Sequence, residues 1–162
     1  MESHQILSLE LGRLLAEHQQ ILATAESCTG GGIATAVTDI AGSSAWFDRA
    51  FVTYSNEAKM EMLAVRAESL QRHGAVSETV VQEMVAGALE QSNASIAISV
   101  SGIAGPGGGS ENKPVGTVCF AWADVNGWLL VKTVHFSGDR DSVRFQAIEY
   151  ALKTVCDYLK AH

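Results

Sequence analysis

The sequence predicts an α/β fold: a three-layer α/β/α sandwich whose mixed, mostly parallel five-stranded sheet carries one antiparallel hairpin. Two observations predict it. Short apolar runs alternate with amphipathic helical stretches, which is typical of parallel strands covered by helices on both faces. Towards the C-terminus, two strand-like segments are joined by Asn126 and Gly127, a strong hairpin signal. Because the chain has 162 residues and shows no linker or repeat, residues 1–162 are predicted to form a single domain.

The first half of the chain alternates helices and strands. Leucine residues recur at helical spacing near the N-terminus, and a short apolar run follows them. The segment at 47–54 is rich in aromatic and β-branched residues, which favours a strand. Ser55 or Asn56 is expected to cap the helix after it. The predicted elements are a helix at 5–18, a strand at 20–25, a helix at 28–39, a strand at 47–54 and a helix at 56–63.

The second half begins with a longer helix, which Ser77 is expected to cap and whose apolar stripe is expected to pack in the core. A buried strand then runs into a glycine-rich loop, which is followed by the hairpin and a final helix. The predicted elements are a strand at 94–100, a loop at 101–110, strands at 115–123 and 128–136, and a helix from about 140 to 159.

The composition excludes several classes of function. The formal net charge is −7 and the 11 Lys and Arg residues form no run, so a nucleic acid is not expected as the main partner. No apolar stretch has the length of a membrane span, and no signal peptide is recognised. The three cysteines, Cys28, Cys119 and Cys156, are widely spaced and predict neither a disulfide framework nor a metal site. We therefore expect a cytoplasmic protein.

Residues 24–32 read Thr-Ala-Glu-Ser-Cys-Thr-Gly-Gly-Gly and link the first strand to the second helix. A strand–turn–helix arrangement exposes backbone N–H groups and the positive end of the helix dipole at one point. Ser27 at that point can attack a carbonyl carbon while those N–H groups hold the carbonyl oxygen. Two other interpretations stay open, because Ser27 or Thr29 can cap the helix, or the turn can bind a phosphate or carboxylate. Cys28 is a competing nucleophile.

A second segment, at 53–59, follows the second strand and supplies groups that the first lacks. A serine hydroxyl is a poor nucleophile until a base takes its proton, and a partly buried lysine with a lowered pKa can act as that base. Lys59 and Tyr54 are therefore candidates for base and proton relay, if both face Ser27. The alternative is a solvated helix lysine and a core aromatic side chain with an exposed hydroxyl.

The third segment is the glycine-rich loop at 101–110. It is expected to wrap a substrate phosphate or to act as a flexible lid, and it matches neither a Walker loop nor a dinucleotide fingerprint. Ser110 and Lys113 match the SxxK pattern of a serine nucleophile. That pattern has to lie at the start of a helix, and Pro114 directly after it makes a helix there unfavourable. Arg140 and Arg144, near the start of the last helix, are candidates for a phosphate contact or for surface ion pairs. All three segments follow strands, where the active site of such a sheet lies.

Taken together, the ordered motifs resemble one family, the CinA C-terminal domain, whose stand-alone members include nicotinamide mononucleotide deamidases. The resemblance covers nearly all of the chain beyond the first helix. The matching motifs are AESCTGG at 25–31, GSS at 42–44, VTYSNEAK at 52–59, HGAVS at 73–77, SGIAGP at 101–106, KPVGT at 113–117 and GDR at 138–140.

The resemblance implies hydrolysis of the carboxamide of nicotinamide mononucleotide to nicotinic acid mononucleotide and ammonia, as part of pyridine nucleotide recycling, without metal or cofactor. It implies Ser27 as nucleophile and Lys59 with Tyr54 as base and relay. The residues it implies for the oxyanion hole and substrate binding are Cys28, Thr29, Gly30, Gly31, Ser101, Gly102 and Arg140. The expected partner is a small mononucleotide, with no membrane or nucleic acid, and a homodimer is plausible. The pyrophosphatase-like domain of longer CinA proteins has no counterpart in this sequence.

A second hypothesis stays open beside the amidohydrolase. The family name and the anion-binding interpretation of the glycine turn are also consistent with a non-catalytic module that binds a nucleotide or a protein partner in competence or DNA damage. Tight binding of a mononucleotide without ammonia release would distinguish this module from the enzyme.

Overall fold

The computed structural model describes residues 2–162, which form six α-helices and five β-strands. A short 3₁₀ turn, Ser43–Ala45, precedes the second strand. The elements in chain order are α1 (Glu2–Glu17), β1 (Leu22–Glu26), α2 (Gly32–Thr38), β2 (Phe47–Val52), α3 (Asn56–Leu63), α4 (Ala67–His73), α5 (Glu78–Glu90), β3 (Ile96–Gly102), β4 (Thr117–Asp124), β5 (Leu129–His135) and α6 (Arg140–Ala161).

The five strands form one mixed sheet in the order β2-β1-β3-β4-β5. Strand β1 pairs in parallel with both β2 and β3, while β4 runs antiparallel to β3 and β5. Four strands therefore point in one direction and only β4 is reversed. Strands β4 and β5 form the hairpin that Asn126 and Gly127 predicted, and the Asp124 carboxylate accepts the Asn126 N–H in the turn between them. The predicted α/β/α sandwich is confirmed.

Helices cover both faces of the sheet because the strand residues alternate between them. On one face, α1, α2 and α6 pack on large side chains such as Ile98, Phe120 and Trp122. On the other face, α5 packs on small residues such as Ala25, Ala97 and Ala121, which let the helix approach the strands closely. Helices α3 and α4 pack against α5 on that second side. The sheet is thus buried on both faces through β1, β3 and β4.

Several boundaries differ from the sequence prediction. Helix α2 begins at Gly32 instead of 28, because Gly30 and Gly31 adopt the left-handed backbone conformation and keep the preceding residues in turns. Strand β2 ends at Val52, two residues before its predicted end, because the chain leaves the sheet at that point. The sheet strands β3 and β4 are shifted by about two residues towards the C-terminus.

Helix α4 was not predicted. It has no side-chain N-cap of its own, and the N–H of its N-cap residue, Arg66, donates to the carboxylate of Glu83 on α5. A cap supplied by another helix leaves no local sequence signal. Ser77 is confirmed as a cap, and of the two candidates Ser55 and Asn56 it is Ser55 that caps α3; each hydroxyl accepts a backbone N–H of the first turn of its helix. Within residues 2–162, none of the helices has the length and apolar character needed to cross a lipid bilayer.

Candidate active site

The three predicted segments meet at the carboxyl ends of three adjacent parallel strands. Glu26, the last residue of β1, lies opposite Val52 of β2 and Val100 of β3. The residues that follow these positions therefore share one edge of the sheet. They line a cleft of about 280 Å³ together with the glycine-rich loop and the start of α6; its polar side chains include Ser27, Tyr54, Asn56, Lys59, Ser101 and Arg140.

Ser27 and Lys59 are in direct contact. The Lys59 Nζ lies 3.0 Å from the Ser27 Oγ, and the lysine is only 1% exposed. Two backbone carbonyls also surround the amine: Thr53 O at 3.0 Å and Tyr54 O at 3.4 Å. Lys59 is therefore a buried lysine whose partners are neutral oxygens, and the solvated-lysine interpretation is wrong.

This environment favours the neutral amine. Burial lowers the pKa of Lys59 from its ordinary value of 10.5, because desolvation disfavours the ammonium form. A neutral amine has two hydrogens and one lone pair. If the carbonyls of Thr53 and Tyr54 accept the two hydrogens, the lone pair is left facing the Ser27 hydroxyl. The arrangement suits an amine that removes a proton from that hydroxyl.

Glu26 organises the turn and was missed by the sequence prediction. Its carboxylate is fully buried and accepts four hydrogen bonds: from the Thr24 and Thr29 hydroxyls at 3.0 and 2.6 Å, and from the backbone N–H groups of Ile33 and Ala34, both at 2.9 Å. The sequence signal that could have revealed this role is the position of Glu26 in β1. It lies on the same face of a buried strand as Leu22 and Thr24, so its carboxylate has to be buried.

The contacts of Glu26 show that two interpretations of the turn are wrong: that Ser27 or Thr29 caps α2, and that the turn binds an external anion. The N-cap residue of α2 is Gly31, which makes no side-chain bond, and neither Ser27 nor Thr29 caps the helix. The helix N–H groups that would attract an external anion already donate to the chain's own carboxylate. The Ser27 hydroxyl instead lies on the cleft side, in contact with Lys59.

The backbone of the turn has free donors. Within residues 2–162, the N–H groups of Cys28 and Thr29 donate to no backbone carbonyl, whereas that of Gly30 donates to Ser27 O; the Cys28 N–H interacts with its own sulfur. Arg144 contacts the backbone carbonyls of the turn. The Arg144 Nε donates to Cys28 O at 3.0 Å and the Arg144 Nη2 donates to Thr29 O at 3.2 Å. In the part of the chain that the structure describes, Arg144 is in no ion pair, which corrects the ion-pair alternative; its guanidinium is held by backbone carbonyls.

Cys28 is a poor competitor for Ser27 as nucleophile. Burial, with a further contribution from the negative charge of Glu26, raises the pKa of the Cys28 thiol to about 12. The thiol form therefore predominates at neutral pH, and the thiol is much less nucleophilic than the thiolate.

Tyr54 and Arg140 close the other side of the cleft. The Tyr54 side chain is 62% exposed, and its hydroxyl accepts a hydrogen bond from Arg140 Nη2 at 3.2 Å. Arg140 Nη1 donates to Gly105 O at 2.8 Å and so connects α6 to the glycine-rich loop. Tyr54 touches Lys59 through its backbone carbonyl, and its assignment as a proton relay stays a prediction.

The glycine-rich loop forms the remaining wall. Ser101 is buried and lines the cleft. Its hydroxyl makes no hydrogen bond to another group in residues 2–162. Gly102 lies so close to β4 that a Cβ there would come within 2.7 Å of Val118 Cγ2. Lys113 Nζ donates to His73 O at 2.6 Å and ties the far end of the loop to α4, so the SxxK lysine does not approach a serine hydroxyl.

Metal ligands form no cluster in the described part of the chain: nowhere in residues 2–162 do three His, Cys, Asp or Glu side chains come close enough to hold a metal ion.

Comparison with known proteins identifies the family. The family model of the CinA C-terminal domain matches residues 4–159. The chain belongs to the CinA C-terminal domain family. The resemblance seen in the sequence motifs is thereby confirmed over nearly the whole chain.

Relatives of both stand-alone and longer kinds are similar to this chain. The nicotinamide-nucleotide amidohydrolase PncC of Escherichia coli K12 is 59% identical over 149 residues, which cover 92% of this chain and 90% of PncC. A CinA-like protein of Chloroherpeton thalassium is 51% identical over 158 residues, but this match covers only 38% of that longer protein. The crystal structure of the competence/damage inducible protein CihA from Agrobacterium tumefaciens has a TM-score of 0.94 and 43% identity, covering 98% of this chain and 96% of that one.

Proposed function

We propose that this chain is a nicotinamide-nucleotide amidohydrolase that converts nicotinamide mononucleotide to nicotinic acid mononucleotide and ammonia, with Ser27 as nucleophile. The 59% identity to a protein of that name over 90% of its length supports the substrate. The contact between the Lys59 amine and the Ser27 hydroxyl carries the proposal, because it places a base beside a nucleophile in a cleft.

The proposed reaction has two halves. Ser27 Oγ attacks the carboxamide carbon while Lys59 Nζ accepts the hydroxyl proton, and the carbonyl oxygen becomes an oxyanion. Collapse of this intermediate breaks the carbon–nitrogen bond, and the proton leaves with the nitrogen as ammonia. Water then attacks the acyl-serine ester, Lys59 accepts a proton from that water, and the proton returns to Ser27 Oγ as the carboxylic acid leaves. An amide is a poor electrophile, so it benefits from such a covalent intermediate.

The turn is proposed to supply the oxyanion hole through backbone N–H groups between Cys28 and Gly31. The Thr29 N–H, which donates to no backbone carbonyl within residues 2–162, supports this assignment, since a donor that is already placed stabilises the developing charge without reorganisation. One such donor contributes about 10²–10³ in rate.

Tyr54 is proposed to relay a proton to the leaving nitrogen. Its hydroxyl accepts from Arg140, which leaves its own hydrogen free to donate. Ser101, Gly102 and Arg140 are proposed to bind the substrate. Arg140 is the cation of the cleft that suits a phosphate, because Lys59 has to be neutral to act as base.

The remaining expectations belong to the same proposal. We propose that residues 1–162 act as one domain on a small mononucleotide in the cytoplasm, in pyridine nucleotide recycling, and as a homodimer. Neither a membrane nor a nucleic acid is a proposed partner, which agrees with the net charge of −7.

The test is release of ammonia from nicotinamide mononucleotide by the wild type and by Ser27→Ala. We expect Ser27→Ala to lose turnover while its circular dichroism and thermal unfolding stay those of the wild type. Ser44→Ala, at an exposed position, is the matched control and should retain full activity. Unchanged turnover in Ser27→Ala would exclude the serine mechanism. Calorimetric binding of the mononucleotide without any ammonia from the wild type would favour the non-catalytic module.

A further inference from the structure

We infer that Arg144 is a positioning residue that fixes the orientation of the oxyanion hole from behind the nucleophile turn; the inference rests on the proposed function. The guanidinium makes two hydrogen bonds, both to carbonyl oxygens of the turn: Nε to Cys28 O at 3.0 Å and Nη2 to Thr29 O at 3.2 Å. A charged, two-point contact of this kind is stronger and more directional than a neutral hydrogen bond.

The effect on the oxyanion hole follows from the geometry of the peptide bond. In a planar trans peptide, the C=O and N–H of one unit point in opposite directions. Arg144 holds Cys28 O on its own side, so the N–H of Thr29, which belongs to the same peptide unit, points away from the guanidinium. This N–H donates to no backbone carbonyl within residues 2–162, so it is available to an oxyanion on the side away from Arg144. A flipped peptide would present a carbonyl oxygen to the oxyanion instead.

Arg144 acts from outside the cleft. The residues lining the cleft, all within residues 2–162, do not include Arg144. The arginine instead lines a separate cavity of about 390 Å³ between α1, α2 and α6, together with the back of the turn at Thr29 and Gly30. Because Arg144 lines this cavity and contacts the turn carbonyls, its effect on the reaction is transmitted through the turn.

Two side chains, Arg144 and Glu26, hold the backbone at the two ends of the turn. Arg144 holds two carbonyl oxygens, while the Glu26 carboxylate holds the N–H groups of Ile33 and Ala34 where the turn enters α2. A side chain at Gly30 would be strained, since its φ is +59° and a Cβ would lie 3.2 Å from Arg144 Nη2. The carbonyls of the turn and the first N–H groups of α2 are therefore held by polar side chains at both ends of the turn before substrate binds.

The first test compares kcat and KM for nicotinamide mononucleotide in the wild type, Arg144→Ala and Arg144→Lys. We expect Arg144→Ala to lower kcat by about 10²–10³, the loss for one oxyanion donor, with little change in KM. Arg144→Lys should lose less, because an ammonium can hold one of the two carbonyls. Arg13→Ala removes an exposed arginine paired with Glu17 on α1 and should leave both constants unchanged. A raised KM with full kcat would overturn the inference.

Chemical rescue separates this role from a general structural one. Guanidinium ion, added well below denaturing concentrations, can enter the cavity that Arg144→Ala enlarges and contact the same carbonyls. It should raise kcat of Arg144→Ala but not of the wild type or Arg13→Ala, and methylammonium should rescue less. Absence of rescue together with a normal thermal unfolding curve would count against the inference. If Arg144→Ala does not fold, the kcat of Arg144→Lys decides, and full kcat overturns the inference.

A second readout does not depend on the substrate. A fluorophosphonate that labels Ser27 releases fluoride and leaves a phosphonyl oxygen in the oxyanion position, and the adduct is measured by intact mass. We expect labelling to slow in Arg144→Ala by a factor similar to that in kcat. If the wild type is labelled but releases no ammonia from the mononucleotide, the proposed substrate is wrong and the labelling rates still test Arg144. Equal labelling of both proteins, or a wild type that is not labelled at all, overturns the inference.

Discussion

Lys59 Nζ lies 3.0 Å from Ser27 Oγ, although the two residues are 32 positions apart in the chain. Ser27 follows β1 directly, whereas Lys59 lies on α3, so the contact exists only because β1 and β2 pair in parallel and α3 folds back over their ends. The lysine is buried without a carboxylate partner among the atoms that it contacts, Ser27 Oγ and two carbonyl oxygens. Burial of an amine in this way has a desolvation cost, which is a common feature of catalytic sites.

Replacing Lys59 by methionine should abolish most activity. Met has a similar length and keeps the site apolar, but it has no lone pair to accept the Ser27 proton. We expect kcat to fall by about 10²–10⁴, the contribution typical of a general base, while KM changes little. Lys153→Met, which removes an exposed lysine of α6, is the matched control and should keep the wild-type kcat. A Lys59→Met protein with full kcat would show that another group is the base.

The lowered pKa of Lys59 predicts how stability and activity change with pH. Between the lowered pKa of the folded protein and 10.5, the unfolded chain binds a proton that the folded chain does not. The Lys59 contribution to the free energy of unfolding therefore rises with pH through this window. The kcat should rise as the pH passes through the lowered pKa of Lys59 and level off above it, because only the neutral amine accepts a proton.

Urea unfolding of the wild type and Lys59→Met across this pH range measures the stability effect. The free energy of unfolding of the wild type relative to the variant should increase as the pH approaches 10.5. The Cys28 thiol, whose pKa burial raises to about 12, destabilises both proteins at high pH and largely cancels in the difference. A constant difference would mean that the pKa of Lys59 is not shifted by folding.

Replacing Tyr54 by phenylalanine tests the proton relay. The substitution removes only the hydroxyl, which accepts from Arg140 at 3.2 Å, and leaves the backbone carbonyl that faces Lys59. If the hydroxyl protonates the leaving nitrogen, kcat should fall by about 10² with little change in KM. A raised KM with nearly unchanged kcat would instead mean that Tyr54 serves only to hold Arg140 over the substrate.

Glu26→Gln should destabilise the fold and lower kcat. The Glu26 Oε2 accepts from Thr24 Oγ1 and Ala34 N, and Oε1 accepts from Thr29 Oγ1 and Ile33 N. A glutamine presents an NH₂ group to one of these pairs, so a buried donor is left without an acceptor. We expect a loss of about 1–3 kcal/mol in urea unfolding. Asp157→Asn, at an exposed ion pair with Lys153, should cost less than about 1 kcal/mol.

Gly87→Ala should disturb the site through packing alone. A Cβ at Gly87 on α5 would lie 2.1 Å from the backbone oxygen of Leu63 at the end of α3, so the two helices would have to move apart. We expect a loss of about 1–3 kcal/mol in stability, as for other overpacked positions. The kcat should fall as well, because α3 carries Lys59. Gly107→Ala, where a Cβ would meet nothing within 4 Å, is the matched control for stability and should be tolerated.

Local patterns predicted the parts of the fold whose causes are local. The caps Ser55 and Ser77 and the hairpin at Asn126 and Gly127 were read correctly, because each depends on side chains within a few positions of the backbone that they satisfy. Helix α4 was missed because it has no side-chain N-cap of its own, and the N–H of its N-cap residue Arg66 donates to Glu83, on another helix. The early start assigned to α2 has a similar cause, since its N-terminal donors are satisfied by Glu26 at the end of β1.

Apart from α4, the sequence by itself determined the α/β order of elements. It also determined the family to which the motifs belong and the convergence of three segments at one edge of the sheet. Only the tertiary structure decided which polar groups meet there: Lys59 with Ser27, Glu26 with the start of α2, and Arg144 with the carbonyls of the turn. The physical reason is that periodicity and turn residues specify the face on which a side chain lies. The partner of a buried polar group is fixed only when elements far apart in the chain pack together.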